Sequence, residues 1–522
     1  MKKDLVLGLD VGTTNVKALL VTDHGDVLSV ASRRNPEETR VPGHSETDMV
    51  GLFERCCEVL VEAIADVDAA RVCALGVNGQ GEGLWALDED KKPVGPAIQW
   101  NDSRANETAR EWSANEPILK AFRAATGSVP FSGATSVILA WLKQHQAETY
   151  NKVRHVFWCK DWIRFCLCGE ILSDYTDAST STLDLGKRDW AVDLFSQLGI
   201  SEAANWLPDL KESYECGGYL LPEVAERTGL PAGLPIAVGA LDIVGTAIGM
   251  GAQSEGDSCV ILGTTCCCET VTRLAETEQG STSGFECFAI GEKYIKVTAS
   301  MAGGPSLDWA IKTLLSAEEQ SSTDLFEKID RRVKALPPVP EGIIFHPYIS
   351  EAGERAPFNN PGAKAQFFGL NQSADKWCML KAVYEGVAFS IQDCIGDLKG
   401  RLLLSGGGAR SGVWPQIIAD CTGLPVLTFD EAESCAKGAA FFACKCAHPE
   451  LSFGDIAGRF ECSNQTYQPQ SNAHWIYEAH FPFYRGIREQ LDGIWRQHQR
   501  YQQKLRTEKQ TNASEQVSFP LN

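Results

Sequence analysis

Residues 5–30 read LVLGLDVGTTNVKALLVTDHGDVLSV. Apolar, β-rich runs flank Gly12-Thr13-Thr14, and a second turn, Asp23-His24-Gly25-Asp26, sends the chain back again. Three strands joined by two turns are therefore predicted over residues 4–32. Glycine lets the first turn close tightly and lets the backbone approach an anion, while threonine hydroxyls and exposed amides point into the gap. Asp10 ends the first strand and Lys17 lies on the return strand. A carboxylate beside a hydroxyl-lined turn suits a hydrated magnesium ion, and a lysine suits phosphate oxygens. Nearly the same loop recurs half a chain later, as Gly263-Thr264-Thr265 within SCVILGTTCCCETVT at 258–272. One such loop reads as an ordinary hairpin turn. Two copies predict two similar domains facing each other across a nucleotide.

A chain of 522 residues is too long for one core, since single cores stop growing near ~300 residues. With 44% hydrophobic and 22% charged residues, the composition is that of a soluble globular protein. The net charge of −20 argues against nucleic acid or an anionic membrane as a main partner. Met1-Lys2-Lys3-Asp4 leads straight into a strand, so no signal peptide is expected, and no run is apolar enough to span a bilayer. The 19 cysteines are odd in number and three are adjacent, at 266–268. Neighbours on a strand point to opposite faces and make poor disulfide partners. The cysteines read instead as small, buried, reduced hydrophobes of a cytoplasmic protein.

After the first strands, residues 48–67 (DMVGLFERCCEVLVEAIADV) predict an amphipathic helix with Asp48 as N-cap. The strand 72–77 then runs into Asn78-Gly79-Gln80-Gly81-Glu82-Gly83. Polar, glycine-rich loops at the carboxyl ends of strands are where open α/β sheets bind ligands. A second polar cluster is Gln99-Trp100-Asn101-Asp102-Ser103-Arg104. An indole packs on the C–H faces of a sugar and charged groups take its hydroxyls; the other reading is a helix start capped by Asn101 or Asp102. Residues 105–235 are expected to be mostly helical. The strand 234–238 leads to Asp242, which is placed to act on a bound substrate, to cap the small-residue helix that follows, or both. Glycines at 245, 249 and 251 mark an expected hinge. Gly406-Gly407-Gly408 follows the strand RLLLS and allows a flat base or ribose to approach the backbone. Beyond about residue 490 the chain turns polar, and a helix with a disordered tail is expected.

Taken in order, LGLDVGTTNVKA, AIQWNDSRA, VRHVFWCKDWIRFCLCGE, DYTDAS, GALDIVGTAIGMG, ILGTT, SMAGGPSLDW, AVYEGVAFSIQD and LLLSGGGARSGVW resemble the motifs of the FGGY family of carbohydrate kinases, over roughly residues 4–490. The resemblance implies an α/β fold of two similar actin/Hsp70-like (ribonuclease H-like) ATPase domains with an interdomain cleft. Residues 1–247 would form a sugar-binding domain, 248–490 a nucleotide-binding domain, and 491–522 a polar helix and tail. It implies ATP and Mg²⁺, with Asp10 near the metal. Gly12, Thr13, Thr14 and Lys17 match the first phosphate loop, and Gly263 and Thr264 the second. Gly303, Gly407, Gly408, Ala409 and Ser411 match positions lining the adenosine pocket. Gln80, Gly81, Glu82, Trp100 and Asp102 match sugar-contacting segments, and Asp242 matches the aspartate that takes the proton from the attacking hydroxyl.

The sequence departs from family patterns in the substrate loop. The glycerol-type Arg-Glu pair is Gly81-Glu82 here, the xylulose-type Met-His-Gly is absent, and Ile243 stands where several members have Asn or Gln. GQGEG followed by LWALD looks most like members acting on L-xylulose and erythritol. The expected partner is a small neutral sugar or polyol, a pentulose such as L-xylulose first and erythritol second, with a homodimer as a candidate assembly. A non-catalytic ATP-binding sugar sensor of the same fold is the reading from another class; Asp242 beside a polar cluster favours the enzyme. A dinucleotide dehydrogenase is disfavoured, because GTTNVKA lacks GxGxxG spacing and enters a strand.

Overall fold

The computed structural model describes residues 3–36, 41–273, 282–397, 399–429, 433–460 and 465–517, with side chains to residue 505. The chain forms two compact units. The first comprises Met1–Asp257, Glu269–Val297 and Asp430–Ser463, and the second Ser258–Cys268, Thr298–Phe429 and Asn464–Asn522. They are not consecutive halves: the expected boundary at 247/248 falls inside the helix Asp242–Gly249, and a late segment belongs to the first unit.

The first unit is built on a six-stranded sheet. Its order is Cys216–Tyr219, Pro235–Ala237, Val72–Gly79, Leu5–Val11, Asn15–Thr22 and Val27–Arg34. The expected triple of strands at the N-terminus is present, joined antiparallel. Leu5–Val11 also runs parallel to Val72–Gly79, which runs parallel to Pro235–Ala237. Side chains alternate across a strand. Leu5, Leu7, Leu9 and Val11 therefore share one face, where they pack with Leu52, Cys56, Val59 and Leu60 of the helix Met49–Ala63. Each such burial contributes about 1.5–3 kcal/mol. Asp48 caps that helix as predicted, accepting from the Val50 amide.

The opposite face is thin. A Cβ on Gly8 or Gly76 would stand 1.9 Å from the carbonyl oxygen of Ala436 or Ala439. Only glycine lets the helix Ser434–Ala447 lie directly on the strands. That helix is rich in small residues and also packs against Asp242–Gly249, where a Cβ on Gly438 would meet the Gly245 carbonyl oxygen at 1.9 Å. Gly245 and Gly249, two of the glycines expected at a hinge, thus lie in a helix-packing seam, where a Cβ on Gly249 would stand 1.8 Å from the Ser434 carbonyl oxygen. A separate, mainly helical core draws on residues 84–207, around Trp112, Phe122, Ile138 and Phe195.

In the second unit, Ser258–Leu262, Leu402–Ser405 and Val426–Thr428 run parallel, with Gln465–Tyr467 antiparallel at the edge. Helices Lys376–Ile395 and Trp414–Thr422 supply much of its core, including Leu380, Tyr384, Phe389, Trp414 and Ile418. The C-terminal helix begins earlier than expected, at Ser471, and runs to Val517; the last five residues of the expected tail lie outside the described residues. The 18 described cysteines are all free, and only Cys166, Cys216, Cys267 and Cys446 are partly exposed. Among the described residues, no helix is long and apolar enough to cross a membrane.

Candidate functional site

Three adjacent parallel strands of the first unit bring the chemistry to one edge. Asp10 pairs in register with Asn78, and Val11 with Gly79. Beyond the third strand, Leu241 bridges to Gly79. The Asp10 carboxyl, the 80–83 loop and Asp242 therefore emerge together at the carboxyl ends, as doubly wound sheets place ligands. Asn78 fastens this edge: it accepts from the Ala240 amide at 2.9 Å and donates to the Cys435 carbonyl at 3.0 Å. Thr176 adds a second tie, accepting from the Leu241 amide at 2.8 Å.

Asp242 opens the Asp242–Gly249 helix as its first residue; the N-cap is Leu241. Asp242 Oδ1 accepts from the Ile243 amide at 2.8 Å. Burial, reinforced by the nearby Asp10 carboxylate, pushes its pKa up to about 7. Asp10 is raised as well, by burial, against a hydrogen bond with Cys435 and the charge of Lys17.

A cavity of about 340 Å³ opens over this edge, within the first unit. Its walls carry Asp242, Glu82 and Glu286, the hydroxyls of Thr13, Ser128 and Thr180, and the rings of Trp100 and Phe131. Gly81, Leu241 and Ile243 complete it, and among the described residues no lysine or arginine lines it. Glu82 has a left-handed backbone, φ 61°, which a non-glycine residue holds only when its surroundings enforce it. Here Ser181 Oγ and the Thr135 amide donate to Glu82 Oε2 at 3.0 and 3.2 Å, and Thr135 Oγ1 donates to the Gly83 carbonyl at 2.7 Å. Burial still dominates over these bonds and raises Glu82 to about 7.

The predicted sugar residues separate on inspection. Gly81, Glu82, Trp100 and Asp242 line the cavity. Gln80 does not; its Oε1 accepts from Thr13 Oγ1 at 2.7 Å. Asp102 does not either. It is fully buried, accepting from the Ser45 amide at 2.7 Å and from Arg104 Nε and Nη2 at 2.9 and 2.8 Å. Arg104 continues to Glu46 at 2.6 Å, so Asp102 is spent on a buried ion pair and fixes the loop that presents Trp100. Thr13, predicted for phosphate, lines the cavity and accepts from Trp100 Nε1 at 3.0 Å.

The remaining phosphate-loop residues Gly12, Thr14 and Lys17 lie in the first unit; Gly263, Thr264, Gly303, Gly407, Gly408, Ala409 and Ser411 lie in the second. There the parallel register Ile261–Ser405 sets Gly263 beside the 406–408 turn. The Gly304 amide donates to the Gly263 carbonyl at 2.8 Å, bringing the start of helix Gly304–Leu314 to the same place. Cβ atoms on Gly263 and Gly407 would meet nothing among the described residues, so backbone is open there to a flat or anionic ligand. Gly408 is buried against Leu262. Ser411 accepts from the Trp414 amide at 3.1 Å and donates to Asp330 at 3.3 Å, a capping role for Trp414–Thr422. A larger cavity of about 790 Å³ in this unit, walled by Lys334, Lys381, Gln416, Asp420 and Tyr467, carries none of these predicted residues.

Asp10 fits a hydrated magnesium ion: its buried carboxyl, with raised proton affinity, gains from a nearby cation. Among the described residues no three His, Cys, Asp or Glu are grouped to hold a metal, and magnesium typically takes one or two carboxylates, waters and phosphates.

Sequence reasoning missed Ser128, Phe131, Thr180 and Glu286 on the cavity wall. The usable signal lay at Glu286, a lone charge between Phe285 and Cys287, whose alternation turns it away from their buried face.

Comparison with known proteins gives a consistent result. Residues 5–249 match the N-terminal domain, and residues 259–447 the C-terminal domain, of the FGGY family of carbohydrate kinases. A probable L-xylulose kinase of Haemophilus influenzae is 27% identical, covering 94% of this chain and 99% of its own. The erythritol kinase of Brucella abortus is 29% identical, covering 95% and 98%. The crystal structure of xylulose kinase from Rhodospirillum rubrum superposes with a TM-score of 0.83 at 25% identity, over 94% of this chain and 99% of that one.

Proposed function

We propose that this chain, which belongs to the FGGY family of carbohydrate kinases, transfers the terminal phosphoryl group of ATP to one hydroxyl of a small neutral sugar, a pentulose such as L-xylulose. The observation that carries the reading is the cavity of about 340 Å³ walled by three carboxyls, three hydroxyls and two rings, with no cation among the described residues. A neutral ketose or polyol of four or five carbons finds acceptors for its hydroxyls there and a ring face for its C–H groups. An aldonate would bring a further negative charge to a wall without a compensating base.

In this mechanism Asp242 takes the proton of the reacting hydroxyl, whose oxygen bonds to the terminal phosphorus of ATP as the bond to ADP breaks. An affinity for the proton near neutrality suits a base that must also release it. The Asn78 and Thr176 ties hold the backbone before Asp242, and the Asp102–Arg104 pair holds Trp100 over the sugar. Asp10 would hold magnesium, which would supply charge neutralisation to the phosphates. Gly12, Thr14 and Lys17 are assigned to phosphate oxygens, and the segments holding Gly263, Thr264, Gly303, Gly407, Gly408 and Ala409, with open backbone at Gly263 and Gly407, to the nucleotide. Erythritol is the second substrate reading, favoured by the small cavity and by the relative that carries that name. A cytoplasmic location follows from the thiol-rich composition.

The test is ADP release across tetritols, pentitols, pentuloses, hexuloses and aldonates. Neutral four- or five-carbon substrates should exceed gluconate by at least about tenfold in kcat/KM, roughly 1.4 kcal/mol. A preference for gluconate would overturn the neutral-substrate reading.

A further inference from the structure

Glu286 lies on the short strand Gly284–Cys287, which pairs antiparallel with the chain at 294–297. Phe285 and Cys287 turn inward, onto Ala178, Leu183 and Leu185. The Cys287 amide donates to Ser179 Oγ at 2.8 Å, and Tyr294 Oη donates to the Leu185 carbonyl at 3.1 Å. The strand is therefore pinned to the first unit from one side, and Glu286 projects from the other side into the cavity wall. Its Oε2 is withdrawn from the surface and has no hydrogen-bond partner among the described residues.

An unmet buried carboxyl oxygen costs stability unless something arrives to use it. Neither other carboxyl of the cavity is in that position, since Glu82 is held by Ser181 and Thr135 and Asp242 by Ile243. We propose that Glu286 is a specificity-determining residue that binds one hydroxyl of the substrate, other than the hydroxyl that gives its proton to Asp242. The assignment rests on the neutral-substrate reading above. Burial and the neighbouring Glu82 and Asp242 charges push Glu286 up to about 8, so near pH 7 it carries a proton and can both donate and accept. That dual capacity matches a hydroxyl, and it leaves the cavity with less repulsion among its carboxyls than three full charges would create. Removing one side of such a bond strands the other, which makes polar contacts in closed pockets strongly selective.

The experiment is a calorimetric binding matrix on the full chain, using L-xylulose, erythritol and their single-deoxy analogues, with wild type, Glu286→Ala and Glu286→Gln. Wild type should lose at least about tenfold affinity for one deoxy analogue of the better parent. Glu286→Ala should lose a similar factor for the parent and nothing further for that analogue, because both deletions remove the same bond. Glu286→Gln, which keeps a donor and an acceptor, should stay within about threefold and confirms that the fold survives. Parent binding unchanged in Glu286→Ala, or equal losses on every analogue, overturns the assignment. ADP release is read in parallel. Sugar binding without turnover would sink the kinase reading and leave Glu286 standing, whereas turnover with additive losses would do the reverse. Failure of wild type to bind either parent overturns both.

Discussion

Replacing Gly438 by alanine tests whether the seam between helices Ser434–Ala447 and Asp242–Gly249 positions the base. The added Cβ would sit 1.9 Å from the Gly245 carbonyl oxygen, against an ordinary contact distance of at least 3.4 Å. The obstacle is backbone and cannot swing aside, so the helices must part by about 1.5 Å or the strain must remain. Alanine gains up to about 1 kcal/mol of helix propensity. Overpacking costs about 1–3 kcal/mol, at the upper end against fixed backbone, so the net effect is a loss of about 2 kcal/mol. Asp242 opens the shifted helix, and misplacing a catalytic group by about 1 Å can cost on the order of 10²-fold in rate. Differential scanning calorimetry should show a lowered first transition, and kcat for the best neutral sugar should fall by about 10–100-fold. Gly458→Ala is the control: it lies in the helix Phe453–Phe460 and its Cβ would meet nothing among the described residues, so stability should be unchanged or gain by up to about 1 kcal/mol. A Gly438→Ala protein as stable and as active as wild type would refute the seam.

Thr13→Ala should raise the sugar KM by about fivefold, since its hydroxyl supports Trp100 and lines the cavity, at about 1 kcal/mol per hydrogen bond; an effect confined to ATP kinetics would return Thr13 to the phosphate role alone. Arg104→Ala should cost about 3–5 kcal/mol, because it strands the fully buried Asp102 carboxylate, and a melting temperature within a degree of wild type would refute that. The pH profile of kcat/KM should show an acidic limb near 7: the base works deprotonated, so activity is present above the Asp242 pKa and is lost as pH falls through it. Full activity at pH 5.5 would contradict a base with that environment.

What was legible in the sequence was local. The Gly12 turn, the Asp48 cap and the strand ends before Gln80 and Asp242 follow from short patterns, and the parallel pairing of strands then carries Asp10, Glu82 and Asp242 to one edge. What was not legible depended on distant chain. Asp102 looked like a sugar ligand because its partners Ser45 and the Glu46-bound Arg104 are set by a fold that joins two separated loops. Gly245 looked like a hinge because the helix that fills the space above it lies some 190 residues later. Glu286 escaped notice because four residues of strand carry little pattern, although the alternation of Phe285, Glu286 and Cys287 held the clue.

The most direct test of the account is Asp242→Asn, assayed for both ADP release and sugar binding. The substitution keeps the size of the side chain and an oxygen that accepts from the Ile243 amide, while removing the base. The account predicts sugar affinity within about threefold of wild type and kcat lower by about 10²–10⁴-fold, the range for loss of a general base. Near-wild-type turnover by Asp242→Asn would contradict the assignment of Asp242 as the group that receives the hydroxyl proton.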